Sequence, residues 1–336
     1  IDFYSEFATK LLLFKNDRKA LIERINDVYT AINMQVPKLE SGGDIIDIDP
    51  FTIFGLFNKG ITNSNRIAII RSIANVFGIE AKVPNNFDGI PVLNNLKATF
   101  YAFKEDRKAD DIDNIWNVFE AALRLADNDT EQNRKEFSKW YDLVHDQRCI
   151  RWNITMGLYW IRPYTYINLD SRNRWYISNV ENMPAEFVNS IKKKINKVPN
   201  ATDYLFIKDA CIKALEVGSY EYKNYPELSY SAWIVSEQVN RQKAAANGKK
   251  LSNAAFLRWF KPLIQALRDL GGSGTPAEAR AKIVENEQLS DEEVNAIRGK
   301  NNVNKFENEV AFARSYLVNA GYIDKSIYGV WTLTEA

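Results

Sequence analysis

Few side chains in this 336-residue chain have a type and spacing suited to making or breaking covalent bonds. His145 is the sole histidine, and with no serine or cysteine motif to serve it reads as a structural or surface group rather than a general base. Gly271-Gly272-Ser273-Gly274-Thr275 lacks the lysine of a GxxxxGK(S/T) phosphate loop and is better read as a helix stop. Glu80-Ala81-Lys82 has the spacing of the end of a metal-dependent nuclease motif, but no convincing Pro-Asp pair precedes it. Cys149 and Cys211 stand far apart beside a single histidine, which argues against a zinc site or a disulfide framework. Both are expected to be buried small hydrophobes. No catalytic group, metal or cofactor is expected.

What remains is recognition chemistry. Phe306, Val310, Ala313 and Leu317 recur at helical spacing and predict a core-facing stripe. The opposite side of that helix carries Asn304, Asn308, Phe312, Ser315 and Asn319, and an asparagine amide suits the bidentate contact to an adenine edge. Arg298, Lys300 and Lys305 lie at the helix start, where cations and free backbone N–H groups could meet phosphate. Lys325, Ser326 and Tyr328 fall at the tip of a following hairpin. Outward amides and charges also suit a solvated face or a protein-binding adaptor.

A second candidate is the aromatic and basic run at 151–177. Arg151, Trp152, Tyr159, Trp160, Arg162, Tyr164, Tyr166, Arg172, Arg174 and Trp175 could supply stacking and phosphate contacts. A dry aromatic core with snorkelling arginines explains most of the same composition, leaving Arg172 and Arg174 as the expected exposed contacts.

The elements that must position these groups are mostly helical. Apolar spacing predicts helices near Phe7, Leu11 and Leu12, through Leu21, Ile25, Val28 and Ile32, and over 66–77, 92–103, 112–126 and 134–144. Loops are expected at 37–50 and 82–91. Residues 151–177 form either a short buried helix broken by Pro163 or a strand pair, and the helical reading is adopted. Further helices are expected at 184–196, 202–215 and 228–239. The polar stretch RQKAAANGKK at 241–250 reads as a linker.

Beyond it come four helices. The first runs over about 254–270. Thr275-Pro276 opens a second to about Asn286, Ser290 with Glu293 opens a short third, and the fourth covers about 305–320. Two short apolar runs over 322–333 then make a small hairpin, completing the outline of a winged helix.

With 44 basic and 43 acidic side chains the net charge is +1, so any nucleic-acid surface must be local. Between Arg148 and Lys197 nine basic residues face three acids, whereas from Ser252 onward ten face eleven. Those latter acids cluster at 285–293, expected to lie away from the contact edge. There is no apolar run of membrane-spanning length and no signal-like start, so a cytoplasmic address is expected, with no membrane partner.

The stretch Phe306-Glu307-Asn308-Glu309-Val310-Ala311-Phe312-Ala313-Arg314-Ser315-Tyr316-Leu317-Val318-Asn319-Ala320-Gly321, followed by Gly329-Val330-Trp331-Thr332-Leu333-Thr334, resembles the N-terminal winged-helix domain of Mrr-type restriction proteins. The resemblance covers roughly 256 to the end. Glu309 stands where that family commonly has a basic residue, which weighs against phosphate contact from that turn. The segments at 49–60, 87–95 and 156–163, including Asp49-Pro50-Phe51, Phe87-Asp88-Gly89-Ile90-Pro91 and Met156-Gly157-Leu158-Tyr159-Trp160, look similar to the front region of bacterial McrB-like proteins. In those proteins a nucleotide-hydrolysing motor follows, and the front part is thought to recognise modified DNA.

The combined expectation is a mainly α chain. A multi-helix domain spans 1–240, a linker 241–251, and a winged-helix domain with a small β-hairpin 252–336. The implied partner is double-stranded DNA, methylated or not, with a restriction motor or nuclease subunit acting on it in a bacterial defence system. The rivals are a protein–protein interaction module and a metal-dependent nuclease.

Overall fold

The computed structural model describes residues 1–95, 98–218, 220, 222–246, 256–298, 303–324 and 329–334, without the side chains of 238, 240–246, 297, 298, 303 and 319. The chain is mainly helical and divides into two compact units, Ile1–Gln238 and Val239–Ala336.

In the first unit α1 (Asp2–Leu12) buries Phe3, Tyr4, Phe7, Ala8 and Leu11, and α2 (Arg18–Ala31) buries Leu21, Ile25 and Val28. These are single apolar stripes, as the three- and four-residue spacing requires. Next come α3 (Pro50–Gly55), α4 (Asn63–Phe77), α5 (Asp111–Asp127) and α6 (Glu131–Val144). Asp49, Thr62 and Thr130 cap three of them by accepting backbone N–H bonds that a helix start leaves orphaned.

Among the described residues of 92–103 the expected helix does not form. Its backbone is spent on other partners: Leu93 N donates to Asn58 O at 2.8 Å and Phe100 N to Thr52 Oγ1 at 2.9 Å. Leu93, Phe100 and Tyr101 are buried, so the apolar periodicity there reflects a chain threading through the core. Tertiary pairing outweighs the local pattern.

The 151–177 run takes the helical alternative, with α7 (Asn153–Ile161) ending before Pro163 and α8 (Ser171–Ile177) capped by Asp170. Beyond lie α9 (Ala185–Ile191), α10 (Ala201–Val217) and α11 (Tyr225–Ala246). α11 extends into the stretch read as linker, because Arg, Gln, Lys and Ala there are strong helix formers and no breaker intervenes before Gly248.

The second unit has its own core of Trp259, Leu263, Leu267, Ile283, Phe306, Val310, Leu317, Ile323 and Trp331 among others. A 3-10 turn at Leu257–Trp259 leads into α12 (Phe260–Asp269), and β1 (Ser273–Gly274) follows. Capping boxes start both α13 (Pro276–Asn286), from Thr275 with Glu278, and α14 (Asp291–Asn295), from Ser290 with Glu293. β2 (Ile297–Arg298) pairs antiparallel with β3 (Val303–Asn304) ahead of α15 (Lys305–Asn319). β4 (Ile323–Asp324) and β5 (Trp331–Leu333) pair antiparallel as the expected hairpin. β1 joins it, giving a three-stranded sheet of order β1-β5-β4. The β1 and β2–β3 pairings involve two residues on each strand, too short to leave an alternating pattern in the sequence.

Candidate nucleic-acid interface

α15 presents the candidate surface. Phe306, Val310, Ala313 and Leu317 turn into the core, and Lys305, Phe312, Ser315 and Tyr316 are exposed while Asn308 is half-buried. Asn304, expected to read a base, is instead the helix cap. Its Oδ1 accepts from Glu307 N at 2.9 Å and its Nδ2 donates to Val294 O at 2.8 Å, so both ends of the amide are occupied within the fold. Ser315 Oγ donates back to Ala311 O at 3.1 Å, the local bond a helical serine readily makes.

Aromatic rings share this side of the helix. Phe312 and Tyr316 are 51% and 53% exposed, and Phe256 lies against both, its ring 4.8 Å from Tyr316 and 6.0 Å from Phe312. The outward side is therefore partly apolar. Tyr316 was missed as a candidate although it sits four residues after Phe312, the spacing that brings two side chains together on a helix.

Acidic groups also lie closer than expected. Glu292 and Glu293 line a cavity of about 250 Å³ together with Arg258, Lys305 and Glu309, because α14 packs on the start of α15. Placing the 285–293 acids away from the contact edge is corrected for these two. Glu293 is held below the usual carboxylate range by the Ser290 N–H and hydroxyl that it accepts from, with Arg258 adding attraction. Glu309 is buried at 4% exposure and accepts from Trp259 Nε1 at 2.9 Å. It is a core group.

Lys300, Lys325, Ser326 and Tyr328 lie outside the described residues, as do the side chains of Arg298 and Asn319; the Arg298 backbone belongs to β2.

In the first unit both retained arginines are engaged. Arg172 Nη2 donates to Glu237 Oε1 at 2.6 Å, and Arg174 stacks on Trp152 at 3.7 Å while Nη1 donates to Leu169 O at 2.9 Å. Arg174 is thus a packed residue, its guanidinium disfavoured by burial. Tyr159, Trp160 and Tyr166 are core, with Trp160 Nε1 donating to Pro91 O and Tyr166 OH to Ala122 O. Buried rings with satisfied polar ends are structural.

Cys149 corrects the expectation of two buried thiols. It is exposed, in a turn where Cys149 and Arg151 both adopt positive φ, at 76° and 45°. Cys211 is buried, which pushes its thiol up to about 12. His145 Nδ1 lies 3.0 Å from Asp142 O, and its ring stacks on Tyr141. The backbone N–H groups of Glu80 and Ala81 donate to the Glu6 carboxylate. Among the described residues no group of three His, Cys, Asp or Glu is arranged to hold a metal.

Residues 1–235 match the family described as a domain of unknown function, DUF8425, and residues 256–336 match the Mrr N-terminal domain. No curated protein and no solved structure matches the chain.

Proposed function

Because the chain belongs to the DUF8425 family and ends in an Mrr N-terminal domain that relates it to restriction systems, we propose that it recognises duplex DNA for such a system through a winged helix in its C-terminal unit. One observation carries the reading: the Mrr-matched residues coincide with a separately cored unit in which α15 keeps one long side out of the core. In this reading α15 enters the major groove, Lys305 and the cations around it meet phosphates, and Asn308 is the amide that reads a base edge. The β4–β5 hairpin is the wing. The N-terminal unit, similar to McrB-like front regions, serves the same cytoplasmic system, and a separate motor or nuclease subunit acts on the bound DNA.

Binding of matched methylated and unmethylated duplexes, followed by fluorescence anisotropy across a salt series, tests this. Four cations are assigned to phosphate (Arg298, Lys300, Lys305 and Lys325), so the log–log salt slope should be no steeper than about −4. Asn308→Ala should weaken duplex binding by roughly five- to tenfold with unchanged stability. Asn304→Ala should instead lower stability by about 1 kcal/mol as a lost cap. Salt-independent binding, or no duplex binding at all, refutes the proposal.

The exposed Phe312 and Tyr316, with the half-buried Phe256 against them, favour a second reading, in which the same side of α15 docks a partner subunit. Phe312→Ala with Tyr316→Ala separates the two: loss of partner capture with intact duplex binding selects docking.

A further inference from the structure

The N-terminal unit carries an open cleft of about 900 Å³ that none of the recognition chemistry above uses. Its volume falls within the range of roughly 300–1,000 Å³ typical of small-molecule sites. The walls come from the start of the chain and α1, residues 84–90, α7 and α8 with the segments after them, and α11 with the stretch leading into it.

The fold builds this space with some care over backbone approach. Gly89 has φ of +76°, and a Cβ there would lie 2.7 Å from Tyr230 Cα, so only glycine lets the loop close against α11. Ser229 Oγ fixes that contact by donating to Gly89 O at 2.7 Å. Across the cavity Tyr176 and Tyr222 share a hydroxyl contact of 2.8 Å, and Tyr222 stacks on Tyr220 with centroids 5.0 Å apart.

Tyrosine rings, among them Tyr164, Tyr222 and Tyr230, line the space, and Asp88, Glu181 and Glu227 add carboxylates. Among the described lining residues there is no lysine or arginine side chain. Lys223, next in sequence to Tyr222, donates its Nζ to the carbonyls of Leu215 and Gly218 instead. Arg66 is buried with its guanidinium on the Phe87 ring, outside the lining. A cation would find both aromatic rings and carboxylates.

We propose that this cavity binds a small aromatic cation. The proposal concerns the other unit from the duplex surface and stands or falls without it.

Three soluble probes share one ring and differ in charge: 1-methylnicotinamide is cationic, nicotinamide neutral and nicotinate anionic. Calorimetric titration of the full chain should give the cation an affinity about tenfold above the neutral probe, with the anion weaker still. Tyr164 and Tyr230 are 60% and 44% exposed, so their replacement should spare the fold. Tyr230→Ala and Tyr164→Ala should each weaken the cation by about fivefold with unchanged thermal unfolding, whereas Tyr164→Phe should retain it. Glu181→Gln should weaken the cation and leave nicotinamide unaffected. Equal affinity across the three probes, preference for nicotinate, or no saturable binding of 1-methylnicotinamide overturns the proposal.

Discussion

Asp49 sits at the start of α3 with its carboxyl group fully buried, accepting from the N–H groups of Phe51 and Thr52 and from the Thr52 hydroxyl. Those bonds favour the charged form, but burial outweighs them and raises the group from 3.8 to about 6. The folded chain therefore holds this proton more tightly than the unfolded chain does. Its stabilising contribution is complete below pH about 4 and is lost as pH rises through about 6. Asp49→Asn should gain on the parent protein by on the order of 1–3 kcal/mol between those limits, read by urea melts at pH 4 and pH 7. A constant difference between the two melts would contradict the assignment. Burial also accounts for Glu309, which stands where the resembled family commonly has a basic residue. Its position on α15 lies at the edge of the core stripe, and only the neighbouring Trp259 decides that its oxygen turns inward.

Elements are fixed to one another by a few such contacts. Trp259, in the turn before α12, donates to Glu309 on α15, and the second Glu309 oxygen is buried without a partner. Glu309→Ala removes the acceptor and strands a buried indole N–H, which should cost about 1–3 kcal/mol in denaturant melts. Glu309→Gln keeps an acceptor and should cost clearly less; equal losses would show that the carboxylate acts by charge. In the first unit α7 approaches α3 so closely that a Cβ on Gly157 would lie 2.6 Å from Phe51 Cδ1. Gly157→Ala should therefore destabilise by about 1–3 kcal/mol through overpacking, despite alanine's better helix propensity. A more stable variant would mean that Phe51 has room to turn away. Gly157 and Gly89 both fall in segments singled out by family resemblance, and packing accounts for each.

At the scale of the whole molecule the two units have separate cores, one built from Phe3 to Ala232 and the other from Trp259 to Trp331. A polypeptide of residues 239–336 should accordingly fold alone, with a helical circular dichroism spectrum and one cooperative denaturant transition. A featureless spectrum would show that its core depends on the first unit. Among the described residues no helix is long and apolar enough to cross a membrane. The sequence by itself determined most helices, the capped starts of α13 and α14, the proline break after α7 and the succession of helices and closing hairpin in the C-terminal unit, because stripe periodicity and capping residues act within a few positions of the backbone they shape. It also carried the Mrr likeness, since that motif is contiguous. Only the tertiary structure decided that the described residues of 92–103 are not helical, that Glu292 and Glu293 flank Lys305, and that tyrosines spread from Tyr4 to Tyr230 line one cleft. Each of these depends on residues distant in sequence being brought to one place, where burial and partner geometry outweigh local preference.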